Sequence, residues 1–128
     1  MKRMHIHIAV TDLQQNIAFY TALLQCRPLV VEDDYAKWML DDPCINLAIS
    51  SRGRKPGLDH LGIQVDSESA LVQMQQNMHA AALPVIEQKQ AACCYTESDK
   101  YWTLDPQGIP WESFHTLQSI PVFGHDAN

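Results

Sequence analysis

The chain has 128 residues, of which 46% are hydrophobic, and a formal net charge of -6 at pH 7. This length and hydrophobic content predict one compact domain (1–128) that needs no disulfides. The negative charge argues against a nucleic-acid-binding protein, because the basic residues cluster only in segment 51–57. No apolar run reaches the roughly 18 residues that a membrane span needs, and the start lacks a signal-peptide pattern, so we expect a cytoplasmic protein with a small-molecule partner.

The first half of the sequence predicts a strand, a helix and three further strands. Residues 5–10 alternate in polarity as a strand does, and Thr11 or Asp12 is placed to cap a helix. Three short β-like stretches follow at 29–32, 35–40 and 45–50. The apolar residues of the helix recur at helical spacing: Leu13, Ile17, Tyr20 and Leu24.

The same pattern begins again at residue 58. A strand to residue 65 leads to Ser67, the cap of a second helix, and β-like stretches follow at 85–88, at 93–96 with 101–104, and at 111–115. An offset of 55 residues superposes His5 on His60 and Val10 on Val65. The apolar face of this helix is Leu71, Met74, Met78 and Ala81. We therefore predict an α+β fold of two βαβββ modules, module one at about 1–52 and module two at about 57–116, with a tail at 117–128.

Histidines at equivalent places in the two modules suggest a metal site. His5 and His7 are two residues apart and share one face of the first strand, while His60 is the duplicate of His5. A third ligand has to come from a late strand, and Glu112 is placed for it. Two imidazoles and a carboxylate leave positions open on a divalent iron for substrate and dioxygen. The other interpretation is that each is an ordinary, satisfied strand residue.

The adjacent thiols of Cys93 and Cys94 suggest a soft substrate. Side-by-side thiolates suit a thiophilic centre such as trivalent arsenic or cadmium. Neighbouring side chains of a regular strand point to opposite faces, so the pair can bind one atom only from a loop or a distorted strand. The Ala91–Ala92 lead-in and the small polar stretch 96–100 are compatible with a mobile loop that carries arsenic to the metal. The other interpretation is that one thiol is buried and the doublet is incidental.

Three segments carry a resemblance to a known superfamily: HIHIAVTDLQQNIAFY, LDHLGIQVD and DPQGIPWESF. They resemble the vicinal oxygen chelate superfamily, which includes glyoxalases, extradiol dioxygenases and bleomycin resistance proteins. The resemblance implies that the paired modules form an open, mostly antiparallel barrel around a divalent metal. By motif, the metal ligands and catalytic residues fall on His5, His60 and Glu112.

A closer resemblance, over residues 2 to about 124, is to the cadmium-induced proteins and the organoarsenical carbon-arsenic lyases. It is carried by DYAKWMLDDPCINLAISSRG, PGLDHLGIQV, CCYTESDKYW and DPQGIPWESFHTL. It implies that Cys93 and Cys94 bind a trivalent methyl or aryl arsenical, and that Fe(II), or another divalent metal in its place, drives cleavage with dioxygen. It also leads us to expect a homodimer.

The sequence leaves open the roles of several supporting residues and allows two other functions. Aromatic residues that could wall an aryl substituent are Trp38, Tyr101, Trp102 and Phe114, and polar ones that could reach the cavity are His7, Lys100 and His115. One alternative is another metal-dependent reaction of the glyoxalase or dioxygenase type. The other is a protein that sequesters Cd(II) or As(III) through Cys93 and Cys94.

Overall fold

The computed structural model has the order of elements that the sequence predicts, a βαβββ module followed by a second one, and it confirms the α+β class. It describes the backbone of residues 1–93 and 96–119 and the side chains of residues 1–88 and 98–116. Module one contains β1 (Arg3–Ala9), α1 (Leu13–Leu24), β2 (Val30–Glu32), β3 (Tyr35–Asp41) and β4 (Cys44–Ser50). Module two contains β5 (Gly57–Gln64), α2 (Glu68–Ala80), β6 (Ile86–Cys93), β7 (Thr96–Leu104) and β8 (Pro110–Ser119).

Contacts divide the chain into two compact units. The first unit is Arg3–Leu61, and the second unit consists of residues 1–2 and the chain from Gly62 onward. Strand β5 begins in the first unit and ends in the second. His60 therefore belongs to the first unit, although it is part of module two by sequence.

The sheet of the first unit presents a polar, buried face on β1. The strand order is β2-β3-β4-β1, followed by the start of β5, and β1 runs parallel to β4 while β3 is antiparallel to β2 and β4. Because side chains of a strand alternate, Ile6 and Ile8 pack on the hydrophobic core while His5 and His7 are buried on the opposite face. The pleat of β1 thus separates the core from the candidate site.

Helix α1 packs on this core as its spacing predicts. Asp12 is the N-cap and accepts a hydrogen bond of 2.9 Å from the main-chain N–H of Gln15. The four predicted apolar positions of the helix all belong to the core cluster, whose buried members are Val10, Leu13, Ala36, Trp38, Leu47 and Ile49.

The second unit has its own core under α2. The end of β5 lies beside β8, and β8, β7 and β6 follow in antiparallel order. Ser67 caps α2 by accepting a hydrogen bond of 3.1 Å from Ala70. The core cluster is formed by Val65, Leu71 and Tyr101, with Met74 and Met78 packed against it. Ala81 does not share this face, because α2 ends at Ala80 and leaves it exposed as the C-cap.

The predicted boundaries around the cysteine pair need correction. A single stretch at 93–96 is wrong, since β6 ends at Cys93 and β7 begins at Thr96, opposite it in the antiparallel register. A loop at 96–100 is also wrong, because these residues belong to β7. The hydrophobic pattern did not predict this strand, because its buried side chains include the polar Ser98 and Lys100. Cys94 lies outside the described residues.

Two smaller features complete the fold. The predicted tail begins too early, because β8 continues to Ser119. The register shifts between Gln88 and Ala91 in the β6–β7 pair and between Glu97 and Ser98 in the β7–β8 pair, as at a β-bulge. Neither helix of the described part of the chain is long and apolar enough to cross a membrane.

Candidate metal centre

The structure brings His5 and His60 together. Their Nε2 atoms lie 3.2 Å apart, and both rings are buried. His5 comes from β1, and His60 comes from the start of β5, the strand that lies beside β1. Two residues separated by 55 positions in the sequence thus meet through equivalent strand positions.

The other nitrogen of each ring is held by a hydrogen-bond acceptor. His5 Nδ1 lies 3.1 Å from the main-chain carbonyl oxygen of Asn46, and His60 Nδ1 lies 2.7 Å from a carboxylate oxygen of Asp59. Because neither oxygen can donate, both Nδ1 atoms carry the proton, and each neutral ring keeps its lone pair on Nε2. Two lone pairs then face each other across 3.2 Å, an arrangement that a cation between or beside them stabilises. This donor set fits a divalent metal ion, with Asn46 and Asp59 fixing the rings from behind.

Asp59 remains a carboxylate under the conditions in which imidazole binds metals. The hydrogen bond from His60 is the main cause that lowers the pKa of the Asp59 carboxyl, and it outweighs the opposing effect of burial. The charge of Arg54 lowers the pKa of Asp59 in the same direction, as do His60 and His7 when they are protonated. Arg54 also forms an ion pair of 3.3 Å with Asp59. A fixed negative charge behind His60 increases the basicity of its Nε2 as a ligand.

His7 is the third imidazole of the cluster. Within the described part of the chain, the histidine, cysteine or acidic residues whose ligand atoms all lie within 4.8 Å of one another are His5, His7 and His60. The His7 ring centroid is 4.8 Å from that of His60, and its Nε2 shares a hydrogen bond of 2.8 Å with the Ser50 hydroxyl. The sequence indicated that His7 and His5 share a face, but it left the role of His7 open.

Glu112, the third predicted ligand, lies in the second unit. It is buried on β8, and its carboxylate forms an ion pair with the ammonium of Lys100, which is also buried. A Cβ atom added to Gly62 would lie 2.5 Å from the main-chain oxygen of Glu112, so β5 and β8 approach closely at this point. The role of Glu112 as a ligand therefore stays a prediction.

The predicted thiol pair is described only in part. Cys93 is the last residue of β6, its side chain is not among those described, and Cys94 lies outside the described residues altogether. The two cysteines whose side chains are described, Cys26 and Cys44, are not joined in a disulfide. The role of Cys93 and Cys94 in substrate binding stays a prediction.

The four candidate aromatic residues separate into two pairs. Trp38 and Tyr101 belong to the cores of the first and second units, and Trp38 donates a hydrogen bond of 3.0 Å to the Cys26 carbonyl. Trp102 and Phe114 instead flank Lys100, whose Nζ lies 5.9 Å and 5.7 Å from their ring centroids. Core packing therefore accounts for the first pair, whereas the second pair lies against the buried ion pair.

Two polar partners were missed by sequence reasoning. The Lys100–Glu112 ion pair depends on the register of β7 and β8, which no local pattern specifies. Asp59 precedes His60 on a strand, and adjacent strand residues are expected to point apart, so its hydrogen bond to the His60 ring was not anticipated. The sequence signal that could have predicted this hydrogen bond is the aspartate directly before a candidate histidine ligand.

Comparison with known proteins places these residues in a family. The glyoxalase/bleomycin resistance protein/dioxygenase superfamily matches residues 2–113. The trivalent organoarsenical cleaving enzyme of Bacillus sp. (strain MD1) is 34% identical over 123 residues, which cover 94% of this chain and 76% of that enzyme. The cadmium-induced protein CadI of Mycobacterium bovis is 29% identical over 125 residues, which cover 97% of this chain and 82% of that protein.

A solved structure agrees at the level of the fold. The Mn(II)-bound glyoxalase from Novosphingobium aromaticivorans superposes with a TM-score of 0.66 at 15% identity, over 100% of this chain and 44% of that one. The family match over residues 2–113 and the relative of 34% identity confirm the resemblance seen in the sequence. This chain belongs to the glyoxalase/bleomycin resistance protein/dioxygenase superfamily.

Proposed function

We propose that the protein cleaves the carbon–arsenic bond of trivalent methyl or aryl arsenicals with dioxygen as the oxidant, so that the organic carbon is oxidised and the arsenic leaves as arsenite. In this proposal His5, His60 and Glu112 hold Fe(II), and Cys93 and Cys94 bind the arsenic. The observation that carries it is the buried imidazole pair, whose facing Nε2 atoms are each set for metal binding by an acceptor on Nδ1. The similarity to a protein named as a trivalent organoarsenical cleaving enzyme supports the choice of substrate.

The metal and the protein have separate parts in this reaction. His5, His60 and Glu112 would hold a divalent iron through two imidazoles and one carboxylate, and the iron would supply open coordination positions for dioxygen chemistry. Asn46 and Asp59 keep both imidazoles in the tautomer that binds metal, and the anionic Asp59 increases the donor strength of His60. The burial of both rings excludes bulk water from their Nε2 atoms.

Substrate capture is assigned to the thiol pair. Two thiolates displace hydroxide ligands from trivalent arsenic, which is a soft centre. The pair has to act from outside a regular strand, and the end of β6 at Cys93 is consistent with this requirement. Because thiolates have to stay reduced, the proposal includes a cytoplasmic setting. The expected homodimer stays a prediction that sedimentation velocity tests.

Arsenic speciation tests the proposal directly. The Fe(II)-loaded protein is mixed with a trivalent methylarsenical in aerated and in anaerobic buffer, and arsenite is separated from the methylarsenical by chromatography. The Cys93→Ser, Cys94→Ser double variant is compared with a Cys26→Ser, Cys44→Ser variant, which removes the same number of thiols elsewhere. We expect the wild type and the Cys26/Cys44 control to release arsenite, and to do so only in aerated buffer. The Cys93/Cys94 double variant should release none.

Two other outcomes would contradict the proposal. Methylarsenical that remains unchanged but bound through Cys93 and Cys94 would support a sequestering protein, the function that the similarity to a cadmium-induced protein brings into consideration. Methylarsenical that remains unchanged and free would indicate another metal-dependent reaction of the superfamily.

A further inference from the structure

The buried ion pair of the second unit lies on one face of the β7–β8 ladder. Lys100 pairs with Phe114 across the two strands, and Trp102 pairs with Glu112. These four side chains are one face of the ladder, because they occupy alternate positions. The lysine ammonium therefore reaches Glu112 diagonally, and both charged side chains are at most 5% exposed.

Two aromatic rings beside Lys100 also stabilise its ammonium group. Its Nζ lies within 6 Å of the centroids of two aromatic rings, at a distance where the ring faces attract a cation. The Trp102 ring is fixed by a hydrogen bond of 2.9 Å from its Nε1 to the Gln88 side chain. Trp102 and Phe114 thus offer the ammonium favourable contacts besides the one with Glu112.

A nearby positive charge stabilises the buried carboxylate of Glu112, and in this structure Lys100 supplies one. Removing one partner of a buried ion pair leaves the other charge uncompensated in a medium of low polarity, which is strongly unfavourable. If Glu112 is a metal ligand, as the proposed function requires, the bound metal supplies this charge, and Lys100 supplies it in the metal-free protein.

We propose that Lys100 is an internal competitor of the metal for Glu112. The ion pair keeps the metal-free protein folded, and metal binding transfers the carboxylate from the ammonium to the ion. Lys100 is in this sense a positioning residue that sets metal affinity. The inference rests on the proposed function only through the assignment of Glu112 as a ligand, and the arsenic chemistry does not enter it.

Mn(II) binding tests the competition without any turnover. Free Mn(II) is counted by electron paramagnetic resonance during titration of four proteins: wild type, Lys100→Met, Glu112→Gln and the control Lys55→Met. Lys55 is exposed, so its replacement changes the net charge equally without touching the buried pair. We expect Lys100→Met to bind Mn(II) about tenfold or more tightly, a change of about 1.4 kcal/mol. We expect Glu112→Gln to lose binding and Lys55→Met to match the wild type.

Thermal unfolding of the metal-free proteins gives an independent measurement. Lys100→Met should unfold at least about 5 °C below the wild type, and Mn(II) should restore much of the loss. The Lys100→Met, Glu112→Gln double variant should regain stability without Mn(II) and should not bind it, because both charges of the buried pair are removed together. Lys100→Arg keeps the cation and should bind Mn(II) no more tightly than the wild type, which allows the test to proceed even if Lys100→Met fails to fold.

The outcomes separate this inference from the proposed function. Mn(II) affinity that is unchanged or weaker in Lys100→Met would overturn the competition, as would affinity that is unchanged in Glu112→Gln. Tighter Mn(II) binding by Lys100→Met, together with an absence of arsenite release by the wild type, would keep the competition and reject carbon–arsenic cleavage.

Discussion

At equivalent positions of the two modules, the polar and the small residue have exchanged strands. In module one, His7 on β1 lies in register with Ala48 on β4. In module two, Gly62 on β5 lies against Glu112 on β8. The hydrogen bonds that follow show that the two pairs are equivalent. Three residues after His7, the N–H of Val10 donates to the Ser50 carbonyl over 2.9 Å. Three residues after Gly62, the N–H of Val65 donates to the Phe114 carbonyl over the same distance.

Each module thus places one small residue beside one polar residue on neighbouring strands, but the strand that carries the polar residue differs between the modules. Module one places the polar group on its first strand, as an imidazole, and module two places it on its last strand, as a carboxylate. At Gly62 the missing side chain leaves room for the main chain of Glu112, whose carbonyl oxygen a Cβ atom would meet at 2.5 Å. The duplication therefore places two chemically different side chains, an imidazole and a carboxylate, at equivalent levels of the two modules.

Histidine replacements give the largest expected effect and decide between His7 and Glu112. If Glu112 is the third ligand, His5→Ala and His60→Ala should each weaken Mn(II) binding by about a hundredfold or more, whereas His7→Ala should weaken it by less than about tenfold. Titration of each variant with Mn(II) at fixed pH measures this. A loss in His7→Ala equal to that in His5→Ala would instead assign the site to three histidines.

Exchanging the small residues tests the packing side of the comparison. Gly62→Ala should destabilise the protein by about 2 to 3 kcal/mol, because the new methyl group would meet the main-chain oxygen of Glu112 at 2.5 Å and would force β5 and β8 apart. The reciprocal change, Ala48→Gly, only removes a methyl group and should cost about 1 kcal/mol. Urea unfolding measures both, and equal losses would show that the close approach at Gly62 has no special cost.

The repeat explains why so much of the fold was predictable. Period-two and helical spacings predicted both helices and the succession of strands along the described part of the chain, apart from the bounds of β6 and β7. The offset of 55 residues, together with packing of the two repeats about a pseudo-twofold axis, predicted that His5 and His60 meet. The failures came where the pattern was polar on both faces. Thr96–Lys100 appeared to be a loop because its strand buries Ser98 and Lys100, and a buried lysine is recognisable only once its partner Glu112 is known.

The supports of the two facing imidazoles differ as well, which a conservative substitution can exploit. His5 is held by a main-chain carbonyl, which no substitution removes, whereas His60 is held by the Asp59 carboxylate. Asp59→Asn keeps an acceptor but removes the charge, and it should weaken Mn(II) binding by about tenfold. Asp33→Asn, at an exposed turn, changes the net charge equally and should have no effect. Equal affinities of the two variants would show that the charge of Asp59 does not contribute.

The helix caps provide the smallest expected difference between the modules. Asp12→Ala and Ser67→Ala each remove one hydrogen bond to a helix N-terminus, of 2.9 Å and 3.1 Å, and each should cost about 1 kcal/mol in urea unfolding. The Asp12 carboxylate also interacts favourably with the helix dipole, and salt screens this contribution, which is about 0.3 to 1 kcal/mol. The loss in Asp12→Ala should therefore exceed that in Ser67→Ala at low salt and approach it at high salt. Gln14→Ala, an exposed position of α1, is the control that should change little. A difference that persists at high salt would mean that Asp12 stabilises module one by something other than its charge.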